Sequence, residues 1–120
     1  MQQTGGTTRM SKEMQECVDA CLACHNICEE TISHCLQQGG RMDAQIMRAL
    51  MDCSELTRTC ADMMMRTSPI SAEMCAMCAR ACDMCAEACK AMPDDAQLAR
   101  CAEACRRCSQ MCRAMSGVRA

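Results

Sequence analysis

The chain has 120 residues, half of them hydrophobic by type, and a formal net charge of −2. It contains 16 Cys and 15 Met but no Phe, Tyr or Trp, and only eleven residues of Leu, Ile and Val, so a core has to be built largely from Cys, Met and Ala. This balance lacks the basic footprint and aromatic platforms that nucleic acid needs. No run approaches the ~18 apolar residues of a membrane span, so neither nucleic acid nor a membrane is an expected partner.

Residues 1–10 are polar and glycine-containing and read as a tail. They lack the apolar centre of a secretory signal. The expectation is a soluble, cytoplasmic protein, or an exported one if processing has removed such a signal. Ser11 is placed to cap a first helix that runs to about Gln38, where Gly39 and Gly40 stop it. Its inward stripe is Met14, Cys17, Cys21, Cys24, Cys28, then Thr31 or Ile32, then Cys35. Steps of three and four keep these residues on one helical face.

A second helix, about Met42 to Arg66, carries Ile46, Leu50, Cys53, Leu56 or Thr57, Cys60 and Met64 on one side. With only two thiols, it is expected to supply ordinary packing. Thr67-Ser68-Pro69 breaks it, and Ser68 or Ser71 is expected to cap a third helix running to about Ala91. On that helix Cys75, Cys78, Cys82, Cys85 and Cys89 form an unbroken sulfur seam. Met92-Pro93-Asp94-Asp95 ends it and supplies a cap for a fourth helix, which reaches about Met115 with Leu98, Cys101, Cys105, Cys108 and Cys112 inward. Four helices with short connections predict an all-α, antiparallel four-helix bundle with a Cys-lined core over residues 11–116, and a second tail at 117–120.

Cysteine at this density often marks a disulfide scaffold. Residues three or four apart on a helix, however, have Cβ atoms about 5–6 Å apart, and a disulfide needs about 3.8 Å. Bridges within a seam would break the helix that carries it. The four Cys-x-x-Cys pairs (Cys21/Cys24, Cys75/Cys78, Cys82/Cys85, Cys105/Cys108) are interleaved with Cys-x-x-x-Cys pairs, so neighbouring pairs share cysteines. Each thiolate is thereby free to bridge two metals along the bundle.

Charge and coordination number select the metal. Tetrahedral Zn(II) takes four ligands, usually closing from loops or knuckles, whereas continuous seams are expected to present their sulfurs two at a time. Cu(I) is soft, monovalent and satisfied by two or three thiolates. Thiolates without a cation are costly in an apolar core, so the metal-free chain should hold neutral thiols. One Cu(I) per thiolate restores neutrality, which sets an expected capacity of roughly 16 ions. Iron–sulfur ligation usually draws its cysteines from a compact loop, and oxygen-ligated iron in a bundle needs Glu-x-x-His pairs; neither pattern is present.

The repeated pairs on the first, third and fourth helices resemble those of the bacterial copper storage proteins, over about residues 11 to 115. The likeness implies a bundle whose interior fills with many Cu(I) ions on Cys17, Cys21, Cys24, Cys28, Cys35, Cys53, Cys60, Cys75, Cys78, Cys82, Cys85, Cys89, Cys101, Cys105, Cys108 and Cys112. His34, Met42 and Met47 resemble the family's bundle mouth, where Met and His admit copper. The family's cytosolic branch is the nearer one in lacking an export signal, although the mouth is closer to the exported branch. It also implies a homo-oligomer, often a tetramer, and a copper chaperone or copper-requiring recipient as partner.

Other readings stay open at this stage. The ligands alone permit a general buffer for Zn, Cd or Ag. An oxidoreductase would use one exposed, low-pKa pair at a helix N-terminus, for which Cys75/Cys78 is the candidate. Met51, Met77 and Met84 read as core filler. Met10, Met14, Met63, Met64, Met65, Met74 and Met115 read as a plug or second opening at the far end, and His25 as a surface residue beside the seam.

Overall fold

The computed structural model of the protein describes residues 10–38 and 43–117. It contains four helices, α1 (Lys12–Leu36), α2 (Ala44–Met65), α3 (Ser71–Cys89) and α4 (Ala96–Gly117). Each packs on its neighbours in sequence, and α4 closes against α1 to complete a square bundle. Sulfur contacts fix the directions. Cys17 meets Cys112 while Cys28 meets Cys101, so α1 and α4 run antiparallel. Cys60 meets Cys75 while Cys53 meets Cys82, so α2 and α3 do the same. Among the described residues, no helix is long and apolar enough to cross a membrane.

The helix ends follow local chemistry. Ser11 accepts a hydrogen bond from the Met14 amide, as its position before the seam implied. Asp43 does the same for Gln45, and Asp95 for Leu98. The start of α3 differs from expectation, because its N-cap position is Ile70, which offers no side-chain acceptor. Ser68 and Ser71 instead brace the turn. Ser68 Oγ accepts from the Ile70 amide, and Ser71 Oγ donates to the carbonyls of Ser68 and Met63.

The cause lies one step earlier. Thr67 adopts φ 51°, its amide bonds to the Met64 carbonyl, and the Ser68 amide reaches back to Met63. That is the Schellman closure, normally built on glycine. At the other end of the chain α4 runs through Gly117, two residues beyond the expected Met115. Met10, the last residue of the expected tail and also one of the methionines read as a far-end plug, packs against the core. Residues 1–9 and 118–120 lie outside the described residues, as do Gly39 and Gly40.

Candidate metal centre

All sixteen cysteines are free thiols, and all are buried. On α1 the stripe continues through Thr31, with Ile32 half-buried beside it; on α2 it takes Thr57 rather than Leu56. These two threonines stand where the seam would otherwise place sulfur. Thr57 Oγ1 turns back to the carbonyls of Cys53 and Ser54, and Thr31 Oγ1 to that of Ile27, so neither hydroxyl is left unpaired in the core.

The sulfurs form a column along the bundle axis. From the α1 N-terminal end, Cys60 lies 3.6 Å from Cys75, and Cys17 lies 3.8 Å from Cys112. Cys112 also lies 3.7 Å from Cys21, which is 3.6 Å from Cys108. Further along, Cys53 is 3.8 Å from Cys24, 3.7 Å from Cys82 and 3.8 Å from Cys105. The helix with fewest thiols therefore supplies one that touches three others, as Cys112 of α4 also does.

Within this column four groups have all their sulfurs within 4.8 Å of one another: Cys21/Cys78/Cys108/Cys112, Cys24/Cys28/Cys53/Cys105, Cys28/Cys85/Cys101/Cys105 and Cys24/Cys82/Cys108. The expectation that seams present sulfurs two at a time is corrected by this geometry. Each four-sulfur group draws on three helices, because interhelical register brings the seams to one level. The groups also share members, as the interleaved spacing suggested.

Mutual S–H···S hydrogen bonding pulls the thiols of the column in opposite directions. Cys101 is held down at about 5, chiefly by its hydrogen bond from Cys105 and then from Cys28. Cys82 is lowered to about 7, first by Cys108. Cys53 is pushed the other way, chiefly by Cys105 and then Cys24, and Cys112 is raised first through Cys108. A thiol that loses its proton to an entering metal ion keeps hydrogen bonds from adjacent thiols.

Cys35, like Cys89 at the same end, belongs to none of the sulfur groups, and among the described residues it has no sulfur–sulfur contact within 4.0 Å. Burial raises its thiol, followed by the charges of Asp95 and Cys101. The buried residues Thr31, Ile46 and Leu98 occupy this end of the core. Outside it, His34 Nε2 lies 2.8 Å from Asp95 Oδ2, tying the end of α1 to the start of α4. Gln97 Nε2 donates to Thr31 Oγ1 across the same seam. Met47 is half-buried against the core, Met92 is exposed, and Met42 lies outside the described residues.

At the far end Met64 is buried, and its sulfur accepts from Cys75 at 3.7 Å. Met10, Met14, Met74 and Met115 pack against the core around it, while Met65 faces outward. Met51, Met77 and Met84 are 54, 50 and 58 % exposed, which corrects their assignment as core filler. The inward arc of α3 is already occupied by its five cysteines with Ala79 and Ala86. Met84 instead lines a surface hollow of about 700 Å³ between α2 and α3, away from the sulfur column. His25 also faces away from it, with Nδ1 bonded to the Ser54 carbonyl.

Ser54, and the His34 contact of Asp95 beyond its expected capping role, escaped the sequence reading. The partners lie 29 and 61 positions away, and no local spacing announces such contacts.

Residues 10–117 match the copper storage protein family. The chain belongs to that family. Members of it are metal stores rather than enzymes, which removes the oxidoreductase reading of Cys75 and Cys78. The Nmul_A1745 protein from Nitrosospira multiformis is 32% identical and superposes with a TM-score of 0.83, covering 91% of this chain and 99% of its own. Apo copper storage protein 3 from Bacillus subtilis is 28% identical with a TM-score of 0.80, over 86% of this chain and 98% of that one. The Cu(I)-bound copper storage protein BsCsp3 gives 27% and 0.80, over 88% and 100%. A further relative, the uncharacterized cysteine-rich protein YhjQ of Bacillus subtilis strain 168, is 31% identical over 76 residues, a stretch that is 58% of this chain and 65% of the relative.

Proposed function

We propose that this copper storage protein holds Cu(I) along the whole sulfur column, at about one ion per cysteine, with all sixteen thiols as ligands. The observation that carries this reading is that S···S contacts of 3.6–3.8 Å recur at successive levels from Cys60/Cys75 to Cys28/Cys101, with Cys24/Cys82/Cys108 and Cys28/Cys85/Cys101/Cys105, each within 4.8 Å, spanning the gaps beside the Cys53 level. Trigonal coordination with metal–sulfur bonds of ~2.3 Å sets sulfurs ~4 Å apart, so the thiols need little movement to take up ions. Each Cu(I) displaces one thiol proton, and the buried core stays neutral as it fills.

His34, Met42 and Met47 form the mouth in this reading, with Cys35 as the first thiolate inside it. Thioethers and imidazole bind Cu(I) without the charge of a thiolate and so pass it inward without trapping it. The compartment is the cytoplasm, supported by the likeness to copper storage protein 3. The working form is a homo-oligomer, with residues 11–116 as the folded unit, served by a copper chaperone or supplying a copper-requiring recipient.

The test is anaerobic titration of the reduced protein with Cu(I) against a chromophoric Cu(I) chelator. Tight uptake of well over ten equivalents is expected; saturation at one or two equivalents sinks the storage reading.

A further inference from the structure

The four-sulfur groups carry an inference of their own. A tetrahedral site with metal–sulfur bonds of ~2.3 Å has sulfur–sulfur edges of ~3.8 Å. Within the groups, the Cys21–Cys108 contact is 3.6 Å and the Cys21–Cys112 contact 3.7 Å; Cys24–Cys53, Cys24–Cys105 and Cys53–Cys105 are each 3.8 Å. Cys108–Cys112 is 4.0 Å and every other edge of the groups lies within 4.8 Å. Several edges of the metal-free column thus already have the length of a tetrahedral thiolate edge, the rest have to contract onto the ion, and linear Cu(I) would need wider separations at the short ones.

We infer that the bundle has three tetrahedral tetrathiolate sites for a divalent thiophilic ion such as Zn(II) or Cd(II): one isolated at Cys21/Cys78/Cys108/Cys112, and two fused through Cys28 and Cys105. The fused pair is completed by Cys24 and Cys53 on one side and by Cys85 and Cys101 on the other, which makes a two-metal, six-sulfur unit. Cys24/Cys82/Cys108 lies between the isolated site and the fused pair and shares one sulfur with each. Having three sulfurs, it suits a trigonal monovalent ion and is left empty by a tetrahedral divalent one.

Occupancy is limited by charge. Filling the three sites releases ten protons from ten thiols and brings in three dications, leaving four negative charges in a low-dielectric core. Cys82 and Cys17, which belong to no four-sulfur group, lie 3.7 and 3.8 Å from Cys53 and Cys112 and offset part of that cost by donating S–H bonds. Cu(I) at one ion per thiolate leaves no excess charge. Selection between the metals therefore rests on electrostatics, since geometry accepts both, and Cu(I) expels the divalent ions as it loads.

Cd(II) alone is the probe, added anaerobically to the reduced full-length protein and followed by thiolate-to-metal absorption in the near ultraviolet. Absorption should plateau at three equivalents. Cys78→Ser, which touches only the isolated site, should lower the plateau to two. Cys105→Ser, which removes a ligand common to the fused pair, should lower it to one. Helicity by circular dichroism is measured on each variant, and Cys85→Ser, expected to lower the plateau by one, replaces any variant that fails to fold.

A plateau near eight, the figure that charge balance alone would give for sixteen thiols, overturns the proposal. So does no uptake, or an equal loss in Cys78→Ser and Cys105→Ser. The parallel Cu(I) titration separates this inference from copper storage: full Cu(I) uptake without Cd(II) binding defeats only the tetrahedral sites, and three Cd(II) without Cu(I) loading defeats only storage.

Discussion

His25 Nδ1 lies 2.8 Å from the carbonyl oxygen of Ser54, one residue beyond the Cys24–Cys53 sulfur contact on each helix. A carbonyl can only accept, so this ring nitrogen carries the proton. Ser54 Oγ donates in turn to Glu29. The outer face of the α1–α2 seam is therefore clamped by a polar set at the level where the inner face presents Cys53 and its three sulfur neighbours. His25→Ala is expected to cost about 1 kcal/mol of stability in urea unfolding of the metal-free protein, with Cu(I) capacity unchanged. A fall in capacity would instead make His25 a ligand.

Cys35 and Cys53 should behave differently on removal. Cys35→Ser takes away a thiol outside the sulfur groups, so capacity should fall by one ion at most. Cys53 is in contact with Cys24, Cys82 and Cys105, and Cys53→Ser should cost more than one ion because bridging is lost at several places. Equal losses in competitive Cu(I) titrations would show that the column has no hub.

Asp95 uses both carboxylate oxygens, one on the Leu98 amide and one on His34. The His34 hydrogen bond, aided by Leu98, holds its carboxyl below the ordinary value of 3.8. A depressed carboxylate stabilises the fold above its unfolded pKa and loses that contribution as pH falls through the folded value. Asp95→Ala should therefore lower metal-free stability by about 1–2 kcal/mol at neutral pH. The gap to the parent should close below pH 3.8, as read from melting temperatures across an acid series.

Thr67 is a β-branched residue in the left-handed region. Such a conformation costs roughly 1–2 kcal/mol relative to glycine, part of which is recovered from the greater freedom of glycine when unfolded. Thr67→Gly should raise metal-free stability by up to about 1 kcal/mol in denaturant. A loss would mean that the methyl or hydroxyl group of Thr67 does more than the turn reveals.

Much of the fold could be read from the sequence because cysteine here occupies the positions leucine takes in other bundles. The seam from Cys75 to Cys89 gave the inward face of α3 directly, and Ser11 and Asp95 marked helix starts. The convergence of four sulfurs was not legible, since spacing along one helix says nothing of the level at which the next one meets it. Met77 and Met84 were misplaced for a related reason: methionine suits core and surface alike, and only the filled inward arc of α3 decides between them. The separation of Cys35 depends on interhelical packing at the bundle end, which its spacing from Cys28 conceals.

The core has few large side chains to hold it shut: Ile46, Leu50, Met64, Leu98 and Val18 head its fully buried residues, and thiols line much of the rest. An empty bundle of this composition opens more often than a filled one, because every bound ion stabilises the closed form alone. Proteases act on the open population. Vacant molecules would thus be destroyed first and loaded ones spared, so that the number of surviving copies follows the copper supply through turnover, with no dedicated sensor. Comparing protease half-lives of the empty and Cu(I)-loaded chains would show whether this holds, and equal half-lives would rule it out.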